Sequence, residues 1–385
     1  MKQPISFWIF VTLLALVCGA LAGTVTSKWY VSPQFQVLER NVRERLDKVT
    51  SSNGTPVQVV RVEREPAAPV IPPLFLQGRR SSTLLLVRRT VRPQDEQILS
   101  EDRIVGSLSA LTTDGWLLAP ARLFDTLRLA DAGVLWEGRI YPLTKAVRDT
   151  SSELVYVKVA LQNLPVAGFV RSEDVVNGLP VWVETTPGRV LPQVVVDIHE
   201  RAFHGLVSSE HMTRRYILHG DAAAFAKGGV AWNSGGELVG VLETGENVAG
   251  SIGIIPITSV TRALASLLAT NEIRHATLGV SGMNAAFLFA DGTSQKRPAA
   301  GFLLRSDRVH GILAVDPKGP AAKVLKEGDV IERIDGDVIQ DATDMAERLD
   351  QYRSGTMLPI FGVRAGAPFQ LNLSLGEIVT SEPLK

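Results

Sequence analysis

Residues 5–27, ISFWIFVTLLALVCGALAGTVTS, form an unbroken uncharged run behind a Met-Lys-Gln start. A run of that length spans a bilayer, so the pattern predicts an N-terminal transmembrane signal-anchor over residues 1–27. A cleaved signal peptide competes with it, because Ala20-Leu21-Ala22 is an acceptable cleavage site. The apolar run continues past that site to Val25 without a polar break, which favours the anchor. Val17 precedes Cys18 where a lipoprotein would need a small residue. Beyond Pro33, the residues Phe35, Leu38, Val42, Leu46 and Val49 recur at spacings of three and four, with Arg and Glu between them. This predicts an amphipathic stalk helix over 34–49, too short for a coiled coil. From Ser51 to Arg80 the chain turns to Pro, Ser, Gly and charge, the composition of an extended tether.

From about Ser82 to Ala269 the hydrophobic period shortens to that of strands. Thr83–Val87, Trp116–Leu118, Leu154–Val159, Pro180–Glu184, Gln193–Ile198, Tyr216–His219 and Ser251–Ile255 are β-rich runs separated by Gly, Pro, Asp and Ser. Val230–Trp232 and Leu238–Leu242 flank Asn233-Ser234-Gly235-Gly236 as a hairpin would. Many short strands at close spacing predict an all-β barrel or sandwich, and the pattern alone leaves both open. Thr261–Ala269 reads as a helix and Asn271–Thr277 as a junction. A second mixed region then places a helix at Ala342–Tyr352 and strands at Leu358–Val363 and Phe369–Leu375.

Charge changes the picture only by exclusion. Forty basic residues balance forty acidic ones, so there is no electrostatic footprint for nucleic acid. Cys18 is the only cysteine, so the exported part has no disulfide although its compartment would permit them. His199, His204, His211 and His219 are spaced by five, seven and eight residues, with no cysteine or tight carboxylate cluster beside them. They are expected as solvated loop histidines, with no metal and no cofactor.

Gly106–Phe124 (GSLSALTTDGWLLAPARLF), Tyr141–Val159, Arg171–Pro187, Asp221–Thr244 and Gly250–Ile257 are five blocks that, in order, resemble the HtrA/Deg family of trypsin-like serine proteases. The first resembles the block that ends at the catalytic His. Tyr141–Val159 resembles the next, which carries the catalytic Asp. Arg171–Pro187 and Gly250–Ile257 resemble two further blocks. Asp221–Thr244 (DAAAFAKGGVAWNSGGELVGVLET) resembles the nucleophile segment, although its connection is two residues shorter than the family pattern. The resemblance implies two six-stranded β-barrels over residues 81–270. Counting along the motifs puts Arg122 at the histidine position, Glu153 at the aspartate and Lys227 at the serine. Phe225 falls at the glycine that shapes the oxyanion hole. A guanidinium has no acceptor lone pair and cannot serve as base. A lysine without a neighbouring serine leaves no hydroxyl to activate. The resemblance therefore implies a protease fold without functional catalytic residues, with Arg122, Glu153 and Lys227 expected as a salt-bridged cluster in the old cleft. Ser234 spells the family's N-S-G-G, but that register leaves no room for the strand that should follow a nucleophile.

From Leu278 the chain resembles a PDZ domain of the bacterial protease type, spanning 271–379. Gly311–Gly336 (GILAVDPKGPAAKVLKEGDVIERIDG) carries most of the resemblance, and the long segment Asn284–His310, which includes a polar loop at Gly292–Ala300, departs from it. Leu278, Gly279, Val280 and Ser281 look like the carboxylate loop, with Thr277 where the family usually has Tyr. PDZ domains bind peptide C-termini by β-augmentation. The expected fold class is thus mainly β: a double β-barrel, then an α/β PDZ domain, behind a membrane helix in the DegS-type layout. The expected function is an inner-membrane pseudoprotease with its bulk in the periplasm. It would bind C-termini of exported or misfolded proteins as a sensor, scaffold or regulator, with trimers implied by resemblance. Two alternatives stand beside it: an active endopeptidase using an unaligned serine, and a metal-binding adaptor on the same barrel.

Overall fold

The computed structural model describes residues 82–89, 100–186, 189–201, 206–212, 214–219, 225, 227–243, 251–285, 300–340 and 342–384. The predicted anchor, stalk helix and tether lie outside them, as do Asp221-Ala222-Ala223, His204 and nearly all of the Gly292–Ala300 loop. Among the described residues no helix is long and apolar enough to cross a membrane.

The first barrel is built from β1 (Thr83–Arg88), β2 (Ile104–Ala110), β3 (Trp116–Pro120), β4 (Ala132–Trp136), β5 (Arg139–Asp149) and β6 (Leu154–Val159). They run in the order β5-β4-β1-β2-β3-β6, and the β5–β6 ladder closes the ring. The second barrel is closed by β7 (Pro180–Thr186), β8 (Arg189–Arg201), β10 (Arg214–His219), β11 (Val230–Trp232), β12 (Leu238–Leu242) and β13 (Ser251–Pro256). A two-residue strand, β9 (Val207–Ser208), leaves that barrel between β8 and β10.

Alternation along the strands explains how the barrels join. On β6, Val155, Val157 and Val159 fill the first barrel, while Leu154 and Tyr156 point the other way into the core of the second. β3 does the same with Leu117 and Ala119 inward and Trp116 and Leu118 outward. Successive strand side chains face opposite sides. A strand covered on both sides must therefore read as a continuous apolar run, as β6 does. The Ser107 hydroxyl, buried on β2, donates to the Thr185 carbonyl on β7 across the same interface (3.2 Å).

Helix α1 (Val260–Thr270) ends at Asn271 in the left-handed region and leads to the C-terminal module. The module contains β14 (Arg274–Thr277), β15 (Ser281–Asn284), β16 (Phe302–Leu304), β17 (Val330–Ile334), β18 (Asp337–Val338), α2 (Ala342–Leu349), β19 (Met357–Arg364) and β20 (Ala367–Ser374). Its sheet has the order β20-β19-β17-β16-β15-β9, so the strand on the edge comes from the barrel region. β21 (Gly376–Val379) pairs with β14, and β22 (Ser381–Pro383) returns to pair with β5 of the first barrel.

Candidate functional site

The residues counted as the degenerate catalytic positions lie on turns beside three barrel strands: Arg122 just after β3, Glu153 just before β6 and Lys227 just before β11. Arg122 sits on the 3-10 turn Ala121–Phe124 behind β3, whose other three side chains are buried. The Ala121 N–H donates to the Glu153 carbonyl (2.9 Å), so the turn and the loop before β6 lie side by side. The side chains then part. Arg148 donates to Glu153 at 3.2 Å, and Arg122 lies 3.9 Å from the carboxylate of Glu243 at the end of β12. Lys227 Nζ donates to the Glu101 carbonyl (2.9 Å). Among the described residues the expected mutual salt bridge of Arg122, Glu153 and Lys227 does not form: Glu153 pairs with Arg148, Arg122 faces Glu243, and Lys227 donates to the Glu101 carbonyl. Phe225 is a core residue of the second barrel, and its carbonyl accepts the Gly228 N–H (2.8 Å).

Ser234 is exposed at the tip of the β11–β12 hairpin. Asn233 Oδ1 organises that turn by accepting the Gly235 and Glu237 N–H groups (both 2.9 Å). Among the described residues no hydrogen bond joins Ser234 to an imidazole. His211 is half-buried rather than solvated, beside Glu153 and Arg215, and burial lowers its pKa. His199 and His219 fall on β8 and β10 rather than on loops. Among the described residues no group of three His, Cys, Asp or Glu side chains could hold a metal.

The second candidate is the loop between β14 and β15. Leu278 and Val280 are buried in the module's core with Met345 and Leu349 of α2. Gly279 has φ +68, and a Cβ there would stand 3.0 Å from Gly319 Cα, so both the turn and the close approach require glycine. Ser281 N–H donates to the Ala314 carbonyl (2.9 Å), and Asp316 N–H to that of Gly279 (2.8 Å), which fixes the loop. The Gly279 N–H is directed at a carboxylate, Glu210 Oε1, at 3.1 Å. Thr277 Oγ1 donates to the same oxygen and also lies 2.8 Å from Gly279 N. Leu278, Gly279, Val280 and Ser281 are therefore brought together as one loop, facing an acidic group.

A third cluster ties the module to the barrels. His275 on β14 stands between two carboxylates, Asp149 at the end of β5 (Nε2, 3.2 Å) and Asp350 just after α2 (Nδ1, 3.0 Å). Burial alone would lower the imidazole pKa, but the hydrogen bonds to Asp149 and Asp350 overcome it and raise it to about 9. Burial likewise opposes the charge on Asp149. The His275 ring and the Ser152 and Thr380 hydroxyls, at 2.7 Å each, prevail and hold its pKa below the usual value. Beside this cluster, a cavity of about 770 Å³ opens between α1 and the end of α2, lined by Arg214, Arg262, Arg274, Glu347, Tyr352 and Arg353 among others. Its lining includes none of Arg122, Glu153, Lys227 and Gly279.

No family model matches the chain. Among curated proteins, the putative serine protease HhoB of Synechocystis sp. is 29% identical over 279 residues, covering 68% of this chain and 64% of that protein. A probable periplasmic serine endoprotease, DegP-like, of Halomonas elongata is 23% identical over 291 residues, 72% of this chain and 57% of that protein. The chain spans less than two thirds of the length of these relatives. The solved HtrA-type protease AlgW with a decapeptide shares the fold at a TM-score of 0.54 and 18% identity, over 79% of this chain and 98% of its own. A serine endoprotease of Yersinia pestis does so at 0.50 and 17%, over 81% and 99%. The chain is a homologue of the HtrA/DegP-type serine proteases. Within this HtrA frame, motif counting reached the cleft and the Gly279 loop but missed Glu210, Glu243 and the Asp149–His275–Asp350 cluster. Glu210 and His275 lie outside the matched motifs, while Asp149 and Glu243 lie inside them at positions to which the motif assigns no role. The one local signal was Asp149-Thr150-Ser151-Ser152, an Asp followed by small polar residues that fold back on its carboxylate.

Proposed function

We propose that this HtrA homologue is a non-catalytic, envelope-anchored member whose C-terminal module is a PDZ domain that captures peptide carboxyl termini. The observation that carries the reading is the Gly279 N–H aimed at a carboxylate oxygen at 3.1 Å, in a loop built around a left-handed glycine. The Gly279 N–H and the Thr277 hydroxyl together give the loop two donors for an anion. The inactive half of the reading is supported by the cleft. Arg122, Glu153 and Lys227 are engaged with Glu243, Arg148 and the Glu101 carbonyl, and none of the three supplies a neutral base or a hydroxyl. The AlgW structures, with a decapeptide and with a tripeptide, concern HtrA-type proteases of the same fold and agree with a peptide ligand. Residues 5–27 would hold the molecule in the inner membrane, with the barrels and module in the periplasm. Its role would then be to sense, present or regulate exported chains rather than cut them.

The test is a titration of the full chain with decapeptides ending in a free carboxylate and with the same peptides amidated. Binding that depends on the free terminus, and that Gly279→Asp removes, is the expected result. Equal binding of amidated peptides would refute carboxylate capture.

A further inference from the structure

We propose that the module's peptide groove is filled in cis: Val207–Glu210, threaded out of the second barrel, is a built-in ligand that an incoming carboxyl terminus must displace. This rests on the peptide-capture reading above.

Backbone polarity comes first. β9 pairs antiparallel with β15, Ser208 opposite Ser281 and Val207 opposite Gly282. β15 runs away from the Leu278–Ser281 loop, so its antiparallel partner runs toward it. Ser209 N–H then donates to the Val280 carbonyl (2.8 Å), and Glu210 arrives at Gly279. A peptide that extends a sheet edge and ends in a carboxylate nest has this direction and this destination.

The side chains follow the same plan. Val207 is buried in the module's core with Leu278, Val280, Met345 and Leu349, as an aliphatic anchor between the edge strand and α2 would be. The Glu210 carboxylate stands in for a chain terminus. Its Oε1 receives the Gly279 N–H, the Thr277 hydroxyl and the Ser209 hydroxyl (2.5 Å). A buried carboxylate is tolerated only where donors replace its water. A plain packing contact would need no charge here, whereas two of these three donors, the Gly279 N–H and the Thr277 hydroxyl, belong to the loop that would receive a terminal carboxylate.

Because Glu210 is not a terminus, the chain continues and carries the occupancy elsewhere. The Ser151 hydroxyl donates to the Glu210 carbonyl, and Met212 N–H donates to the Ser151 carbonyl (2.9 Å). Ser151 belongs to the loop that ends in Glu153 and flanks the cleft. Displacement of β9 thus releases contacts on the first barrel. The displacing partner is specified by what it must replace: an extended peptide with a free C-terminal carboxylate and an aliphatic residue within its last few positions.

The experiment uses the full chain with Cys18→Ser in three forms: parent, an opened form (Val207→Ser with Glu210→Gln), and a locked form (Ser208→Cys with Ser281→Cys). In the locked form the new thiols stand on directly opposed residues. The probe is a pool of fluorescent decapeptides with free carboxyl termini and an aliphatic residue in the last four positions. Apparent affinity falls with the fraction of open groove. The opened form should bind at least about tenfold more tightly than the parent. The locked form should lose binding on oxidation and recover it on reduction. The redox comparison is made within one molecule, so a folding defect cannot imitate it. Equal binding by oxidised and reduced locked forms would overturn the built-in ligand while leaving carboxylate capture standing. No binding by any form, the opened one included, would overturn both.

Discussion

At the residue scale, His275 decides more than its place in a short junction strand would indicate. It is buried between Asp149 and Asp350, contributed by the first barrel and by the end of α2, and it is charged because both carboxylates face it. Its pKa rises from an ordinary 6.5 to about 9. A raised folded-state value means that this contribution to stability is complete below about 6.5 and fades as pH rises through about 9. Asp149 is shifted the other way from 3.8, so its contribution holds above that value and is lost as pH falls through the depressed one. His275→Ala should therefore cost about 3–5 kcal/mol near pH 6, the scale for breaking a buried charged network. The gap in melting temperature between parent and variant should narrow steadily from pH 6.5 to above 9. A gap that stays constant over that range would mean that the imidazole is not charged in the folded state. Motifs could not announce this cluster, because a buried ion pair is defined by residues far apart in sequence. Counting assigned Arg122 and Glu153 to the histidine and aspartate positions but gave no sign of their partners, Glu243 and Arg148, because a motif match does not fix where a side chain turns.

At the element scale, what could be read in advance followed the strength of the period. β6 occupies the predicted Leu154–Val159, and β11 and β12 flank the predicted turn. Thr261–Ala269 lies within α1. These elements owe their form to their own apolar pattern. β9 and β22 escaped, since Val207-Ser208 and Ser381–Pro383 have no period of their own and become strands only because an open sheet edge receives them. β22 covers the edge of β5, with Leu384 N–H donating to the Ala146 carbonyl (3.0 Å) and Leu384 packed on the first barrel's core. Deleting 381–385 should remove roughly 1–2 kcal/mol, at about 1 kcal/mol per ladder hydrogen bond. Hydrogen exchange should accelerate at Val147–Asp149 and leave β11 and β12 unchanged. Uniform acceleration across both barrels would show that the tail supports the whole fold rather than one edge.

At the scale of the whole molecule, the module and the barrels are not joined end to end. β9 lies within the barrel region of the sequence and completes the module's sheet, while β22 follows the module and completes the first barrel's. Arg214 on β10 and Glu347 on α2 add an ion pair at 2.9 Å. A sequence boundary near residue 271 therefore divides motifs that the fold interleaves, and the module's binding is best measured in the full chain. The segment Val207–Met212 runs from the Gly279 loop to Ser151, two residues before Glu153, and so links the module to the first barrel.

The proposed absence of proteolysis is the claim most open to direct test. Purified full-length chain should be incubated with unfolded casein at a ratio and for a time at which a trace of active HtrA-type protease would be detected, alongside Ser234→Ala. No casein fragments above the background of the two preparations, and no difference between them, is the predicted result. Hydrolysis by the parent that Ser234→Ala or any other single serine substitution abolishes would contradict the account, and the chain would then be an endopeptidase with its nucleophile outside the position held by Lys227.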